Sequence, residues 1–257
     1  MKYSIITINK NNATGLKDTL QSIIDQDNDN YEIIVIDGAS SDHSIEIIKT
    51  YNDHISFWSS EPDKGIYDGM NKGIKKASGD YILFLNSGDI FHSKTVLSKV
   101  NQQNKNRDFI FGSTLLKCSA HTLLITPPSE MSFYTFFSGG VCHQSSFIKR
   151  ELFCKYGSYD TSYSIVADWI FFIDMLFKRN SSYMIINTII SIFDTNGISS
   201  SQKQKEELQR QRLNYLTQEF PLFIKDFKLY SKLRRILFLD IKTRLKYKLF
   251  NFKNRFL

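Results

Sequence analysis

Short apolar runs alternate with polar clusters along the first third of the chain, and the apolar positions switch between two periods. Tyr3–Ile8 is compact, β-branched and apolar; after the polar residues that follow, Leu16, Leu20, Ile23 and Ile24 return at helical spacing. The same order recurs. Tyr31–Ile36 predicts a buried strand, and Ile45, Ile48 and Tyr51, preceded by the capping signals Ser40-Ser41-Asp42, predict a helix. Ile55–Trp58 predicts a third strand. Ile66, Met70, Ile74 and Ala77 mark one face of a helix closed by Gly79, and Tyr81–Leu85 is a continuous apolar strand. Strand and helix in strict alternation pack as a parallel sheet covered on both faces.

Beyond residue 105 the alternation breaks down. Asp108–Gly112 and Leu115–Ile125 predict strands of a mixed or antiparallel region, Trp169–Phe177 a buried helix, and Tyr183–Phe193 a long strand. The expected organisation is one continuous α/β domain over 1–200, with a nucleotide-type half at 1–105 and a substrate half at 106–200. A helical extension over 201–257 follows the Ser/Gln/Lys-rich boundary Ser199–Lys205. In that extension Phe223, Phe227, Tyr230, Leu233, Leu237, Ile241, Leu245, Leu249, Phe252 and Phe256 advance by three or four residues, forming an apolar stripe flanked by lysine and arginine.

Composition narrows the class. With 257 residues, 42% hydrophobic and 23% charged, the chain has a globular core and is neither disordered nor fibrous. No apolar run reaches the roughly 18 residues that cross a bilayer, and Met1-Lys2 leads straight into a strand, so neither a span nor a signal segment is expected. The formal charge of +7 suggests nucleic acid until it is located: Lys225–Leu257 holds eleven Lys and Arg against Asp226 and Asp240, so the rest is slightly acidic. A basic amphipathic tail fits an anionic membrane surface, and no nucleic-acid motif accompanies it. Its other use is to pack on the catalytic domain or on a second subunit in a homo-oligomer. Cys118, Cys142 and Cys154 have no metal-ligand spacing and leave an odd thiol, which fits a reducing, cytoplasmic compartment.

In an open α/β sheet, ligands collect beyond the carboxyl ends of the strands. Four predicted strands end in polar clusters: Thr7-Ile-Asn9-Lys10-Asn11, Asp37-Gly38-Ala39-Ser40-Ser41-Asp42, Glu61-Pro-Asp63-Lys64-Gly65 and Asn86-Ser87-Gly88-Asp89. A single loop aspartate is ordinarily a cap or turn residue. Four such ends converging on one crevice make a binding site the better reading.

The segment EPDKGIYDGMNKGIKKASGDYILFLNSGD, residues 61–89, resembles the inverting, nucleotide-sugar-dependent glycosyltransferases of family 2, and in particular their bacterial surface-polysaccharide branch. The resemblance extends over about residues 3 to 200 and implies the GT-A fold, a Rossmann-like mixed sheet flanked by helices. Residue by residue, it implies that Thr7 and Asn9 line a base and ribose pocket, that Asp37 accepts a hydrogen bond from a uracil-like N–H, that Asp63 lies near the ribose, and that Lys64 meets a phosphate. Lys10 stands where many members have an aromatic residue. Asn86-Ser87-Gly88-Asp89 occupies the place of the family's D-x-D motif, leaving Asp89 as the carboxylate for Mn2+ or Mg2+ and Asn86 as an amide oxygen for ribose or a metal-bound water. Asp168, in Val166-Ala-Asp168-Trp169, matches the family's catalytic base, with Ala167 where a second acid is common. His143 and Gln144 match a segment that contacts acceptor or diphosphate, Trp169 is placed to stack on a sugar, and Asp194–Ser199 resembles a late loop closing over the diphosphate.

The expected function is therefore transfer of a hexose-type sugar, with inversion, from a UDP-sugar to a saccharide on a polyprenyl-diphosphate carrier, at the cytoplasmic face of the plasma membrane. A Cys142–His143 thiol nucleophile is disfavoured because sequence neighbours in a strand point apart. A nucleotidyltransferase needs a Gly- and Arg-rich loop after the first strand, and Thr7–Thr14 has neither residue. The reduced acidic motif is also what a non-catalytic scaffold on the same fold would carry.

Overall fold

The computed structural model describes residues 1–117, 121–194, 202–227 and 229. Its first half follows the predicted order: β1 (Tyr3–Asn9), α1 (Ala13–Ile24), β2 (Tyr31–Asp37), α2 (Ser44–Thr50), β3 (Phe57–Ser60), α3 (Ile66–Lys76) and β4 (Tyr81–Phe84). β1 and β4 are buried at every position, as strands covered on both faces must be. β3 starts two residues later than expected because the Ile55 N–H closes a single 3-10 turn on Asn52 O, 3.1 Å away.

The second half comprises β5 (Ile90–Phe91), α4 (Val96–Gln103), β6 (Phe109–Lys117), β7 (Thr122–Ile125), α5 (Phe133–Ser138), β8 (Ser146–Lys149), α6 (Arg150–Tyr156), α7 (Ala167–Ile173) and β9 (Tyr183–Asp194). The two strands expected over 108–125 are divided differently. β6 runs on through Gly112, and its antiparallel partner β7 takes the remainder. Gly112 is a point of close approach: a Cβ there would meet Ile190 and lie 2.8 Å from Thr188 O, and the register with β9 slips across it and again between Ser113 and Thr114. α7 continues into a turn of π-helix, Asp174–Lys178, so the long apolar helix expected from Trp169 onward is present with a change of pitch.

The strands form one mixed sheet in the order β3-β2-β1-β4-β8-β6-β9-β5, with β7 on β6. β3, β2, β1 and β4 are mutually parallel, and β8 turns antiparallel between β4 and β6. α3 lies directly on the parallel part. A Cβ at Gly73 would stand 2.5 Å from Ile6 Cγ2, and one at Gly69 3.1 Å from Ile8 Cγ2, so the two glycines let helix backbone rest on β1 side chains. That contact rotates the helix from its expected setting. Tyr67, Met70 and Ile74 face inward, while Ile66 is 43% exposed. The second half is held by aromatic packing, including Phe153 stacked on Phe171 at 4.5 Å and Phe172 edge-on to Phe109 and Phe111.

Met1–Leu208 and Gln209–Leu257 are two compact units, and α8 (Gln202–Glu219) runs through their boundary. In the second unit Tyr215, Leu216, Phe220 and Ile224 are buried, whereas Leu222, Phe223 and Leu229 are exposed. Most of the predicted apolar stripe, from Tyr230 onward, and the loop 195–199 lie outside the described residues. Among the described residues no helix is long and apolar enough to cross a membrane.

Beneath the opposite end of the sheet, Glu32 accepts hydrogen bonds from Lys2 Nζ (2.7 Å), Ser4 Oγ, Ser78 N and Oγ (2.6 and 2.7 Å) and Gly79 N (3.1 Å). Burial alone would raise its pKa; the bonds from Lys2, Ser4 and Ser78 outweigh it and hold the carboxyl at about 2. A depressed carboxylate pKa stabilises the fold above the unfolded value of 4.5 and loses that contribution as pH falls toward 2. Glu32→Gln is expected to cost about 2–3 kcal/mol at pH 7 and progressively less between pH 4.5 and 2, read from urea denaturation across that range.

Candidate active site

The polar strand ends gather in two adjoining clusters. The first sits on β1 and β2. Asn9 Nδ2 donates to Asp37 Oδ1 at 2.7 Å; Ser40 donates its hydroxyl to Oδ1 (2.6 Å) and its N–H to Oδ2 (2.9 Å); Ser60 Oγ donates to Oδ2 at 2.6 Å. Asp37 is fully buried. Burial would raise its pKa, but the bonds from Ser40, Ser60 and Asn9 bring it below the ordinary value. A carboxylate has about four acceptor sites, and all four are filled. A base N–H can reach Asp37 only if one of these donors turns away.

Asp63 is drawn to the same place. Its Oδ1 accepts from Gly65 N at 3.1 Å, and its other oxygen overhangs Gly38, where any Cβ would collide with it. The Lys10 stem crosses the same glycine, 3.3 Å from the Cβ position. Asn9, Lys10, Asp37 and Asp63 thus share one corner, and Gly38 is the residue that lets them approach. Lys64 is exposed, with its N–H tied to Asp68 Oδ2 at 3.0 Å.

The second cluster begins at the turn after β4. Gly88 has φ +101°, a conformation glycine adopts readily, and α1 pins the turn around it. Thr19 Oγ1 donates to Asp89 O (2.7 Å) and accepts from Gly88 N (2.9 Å), and Asn12 Nδ2 donates to Ser87 O at 3.0 Å. This holds Asn86 and Asp89 inward. Asp89 is 6% exposed, and burial pushes its pKa up to about 7, with His143 and the Asn86 main chain pulling the other way.

His143, in a single 3-10 turn before β8, bridges the halves: Nε2 lies 3.4 Å from Asn86 Nδ2 and Nδ1 lies 3.1 Å from Asp168 Oδ2. A carboxylate only accepts, so Nδ1 carries the proton. Burial opposes charge on the imidazole, but Asp168 and then Asp89 raise its pKa above the ordinary value. Asp168 lies in the first turn of α7 and receives a second bond at Oδ1, from Tyr67 OH at 2.6 Å. Its pKa is lowered, since His143 and Tyr67 outweigh burial. The result is a chain, Tyr67–Asp168–His143–Asn86, with Asp89 coupled electrostatically to the imidazole.

Two residues are placed otherwise than expected. Thr7 is fully buried and donates to Leu85 O at 2.9 Å, so it locks β1 to the residue after β4. Trp169 is 3% exposed; its Nε1 donates to Phe136 O at 3.1 Å, and its ring covers Gly140, which leaves no face for a sugar. Gln144 is also buried, at 5% exposure. Cys142 is one residue from His143, but burial raises its thiol pKa, which suits packing and not attack. The expectations missed Ser40, Ser60, Asn12, Thr19 and Tyr67. Tyr67 alone had a readable signal: with Met70 and Ile74 it falls on the buried face, where a phenol must find a partner.

The family model for glycosyl transferase family 2 matches residues 4–163. The chain belongs to that family. An uncharacterized glycosyltransferase of Mycobacterium tuberculosis is 32% identical over 207 residues, 78% of each chain, and a PGL/p-HBAD biosynthesis glycosyltransferase of Mycobacterium bovis is 26% identical over 215 residues, 81% of this chain and 83% of its own. Among solved structures, Staphylococcus aureus TarS 1-349 in complex with UDP-GlcNAc superposes with a TM-score of 0.62 at 14% identity, covering 84% of this chain and 67% of that one. A mannosyltransferase from Pyrobaculum calidifontis, in complex with GDP-Man and Mn2+, gives 0.59 at 14%, covering 87% and 64%. The fold of this family 2 enzyme is accordingly the GT-A fold.

The saturated Asp37 makes a specific prediction. Asp37→Asn turns an amide NH2 toward donors that already point inward, which is expected to cost roughly 2–4 kcal/mol of stability. Thermal or urea unfolding of the variant reads it, and an unchanged midpoint refutes the four-donor arrangement.

Proposed function

We propose that this family 2 glycosyltransferase moves a hexose-type sugar, with inversion, from a nucleotide sugar, UDP-linked by preference, to a saccharide hydroxyl on a lipid-diphosphate carrier in surface-polysaccharide assembly. What supports the proposal is the single chain of contacts joining Asp168 through His143 to Asn86 beside Asp89, the residues read as base and as diphosphate side. Asn9, Asp63 and Lys64 stand on the donor side. Asp37 supports them by holding Asn9 and Ser40, and direct contact with the base requires one of its donors to turn.

Asp168 serves as general base. Its charge is maintained by Tyr67 and His143, and those two bonds leave acceptor capacity for an incoming hydroxyl. The acceptor oxygen bonds to the anomeric carbon while its proton passes to the Asp168 carboxylate. The bond from that carbon to the diphosphate breaks, and its electron pair leaves with the diphosphate. The His143 imidazole donates its Nδ1 proton to Asp168 and turns Nε2 toward Asn86, so it orients the base beside the diphosphate side. Gln144, buried behind it, supports the turn.

A divalent cation fits the residues present. Asp89 has a carboxylate whose protonation by burial a cation would reverse, and Asn86 Oδ1 is buried without a protein hydrogen bond; both are the hard oxygen donors that Mn2+ or Mg2+ prefer. Among the described residues no group of three His, Cys, Asp or Glu encloses such an ion, so the remaining positions would fall to diphosphate and water. When bound, the metal supplies charge for the departing diphosphate. The second unit, with Leu222, Phe223 and Leu229 exposed ahead of a strongly basic sequence, is proposed to hold the enzyme on anionic lipid.

Nucleotide release from a panel of nucleotide sugars with a lipid-diphosphate saccharide acceptor tests the chemistry. Asp168→Asn is expected to lower turnover about 10²–10⁴-fold, and Asp89→Ala to remove its dependence on added Mn2+. Full activity in both variants would defeat these roles, and absence of Mn2+-dependent heat on titrating UDP would favour a scaffold. The full chain is expected to co-sediment with phosphatidylglycerol vesicles and not with phosphatidylcholine vesicles, with binding weakened in 0.5 M salt; equal binding to both vesicles counts against the membrane role.

A further inference from the structure

We infer that Tyr67 is a positioning residue for Asp168, and that through it α3 holds the acceptor-side segment 159–168 against the donor-side strands. Three contacts carry this. The Tyr67 hydroxyl lies 2.6 Å from Asp168 Oδ1 and 2.7 Å from Ile165 O, so its single proton is shared between the carboxylate and the main-chain carbonyl just ahead of α7. Four residues along the helix, Asn71 Nδ2 donates to Tyr159 O at 2.8 Å while Tyr159 N donates back to Asn71 Oδ1 at 3.0 Å, a reciprocal pair spanning 88 residues of sequence. The other side of the helix is seated on β1 through Gly69 and Gly73.

The geometry distinguishes positioning from filling. The Tyr67 ring already packs edge-on against Tyr159 at 5.6 Å, and a phenylalanine would do that as well. What only tyrosine supplies is the hydroxyl, buried where an unpaired polar group would be costly. With His143 on the second oxygen, the carboxylate is held from two directions, and its rotation about the side-chain bonds is arrested. Without the hydroxyl the carboxylate keeps His143 and the Trp169 main-chain N–H and loses its donor from α3.

The hydroxyl also bears on charge. Asp168 is faced by Tyr67 from α3, by His143 and Cys142 from the segment before β8, by Tyr159, and across the imidazole by Asp89. Removing a donor that favours the ionised form raises the carboxyl pKa, so the acid limb of turnover shifts to higher pH.

This inference rests on Asp168 being the base, and a double-mutant cycle in the full-length enzyme separates the two. Tyr67→Phe is expected to lower kcat about 10-fold with donor KM within twofold, to move the acid limb of the pH–rate profile upward, and to leave the melting temperature close to wild type. In an Asp168→Asn background the same change is expected to add less than twofold, because Tyr67 acts through that carboxylate. A multiplicative loss in the double variant, or a Tyr67→Phe enzyme with wild-type kcat and pH profile, overturns the inference. Wild-type activity in Asp168→Asn overturns instead the assignment of the base. Should Tyr67→Phe lose stability, its crystal structure decides: an Asp168 side chain turned from its wild-type rotamer supports positioning, and an unmoved one refutes it.

Discussion

A carboxylate inside a protein stays ionised only where donors from elsewhere in the chain come to meet it, and three such meetings organise this enzyme. Glu32 gathers the amino-terminal lysine, β1 and the Ser78-Gly79 turn beneath the sheet; Asp37 gathers β1, β3 and the loop after β2 above it; Asp168 gathers α3 and the turn before β8. Each ties together segments that are distant in sequence. Asp89 is the counter-example. It is as deeply buried but lacks such a set of donors, and its pKa rises to about 7 where the others fall. Of these carboxylates Asp89 is the one with the fewest donors from the chain.

The mixed sheet explains why this is achievable at one edge. The parallel strands β1, β2, β3 and β4 deliver their carboxyl ends to a common side, and β8 inserted antiparallel beside β4 brings the residues that precede it, including His143, to that same side. A wholly parallel sheet would have required another crossover helix to do so. Burial of aromatic rings behind α7, Phe153 on Phe171 above all, fixes the helix whose first turn carries Asp168.

The parallel half was legible because buried strands read as apolar runs and the helices between them keep a 3.6-residue period. Legibility failed where contact, not composition, decides. Gly112 looked like a strand end and proved to be the place where β6 and β9 nearly touch; Ile66 looked like core, but the seating of Gly69 and Gly73 turned it to solvent. The site divides the same way. Asn86, Asp89, His143 and Asp168 were named by the resemblance to family 2, and the structure groups them. Thr7 and Trp169 occupy motif positions too, yet their hydrogen bonds end on Leu85 O and Phe136 O, carbonyls that no one-dimensional pattern reveals. Ser60 escaped because a serine donor to a carboxylate 23 residues away leaves no local trace.

Because α3 rests on β1 through two bare backbone positions, its azimuth is set as a key is set in a keyway. Gaining or losing one residue between Tyr67 and Gly69 would swing the phenol by about 100° around the helix axis relative to the seated glycines and aim it into the sheet or into water. Segment length here is therefore under tighter constraint than side-chain identity: an exposed residue on the solvent side of that helix, such as Lys75, tolerates exchange, while the count between the glycines and the phenol cannot change.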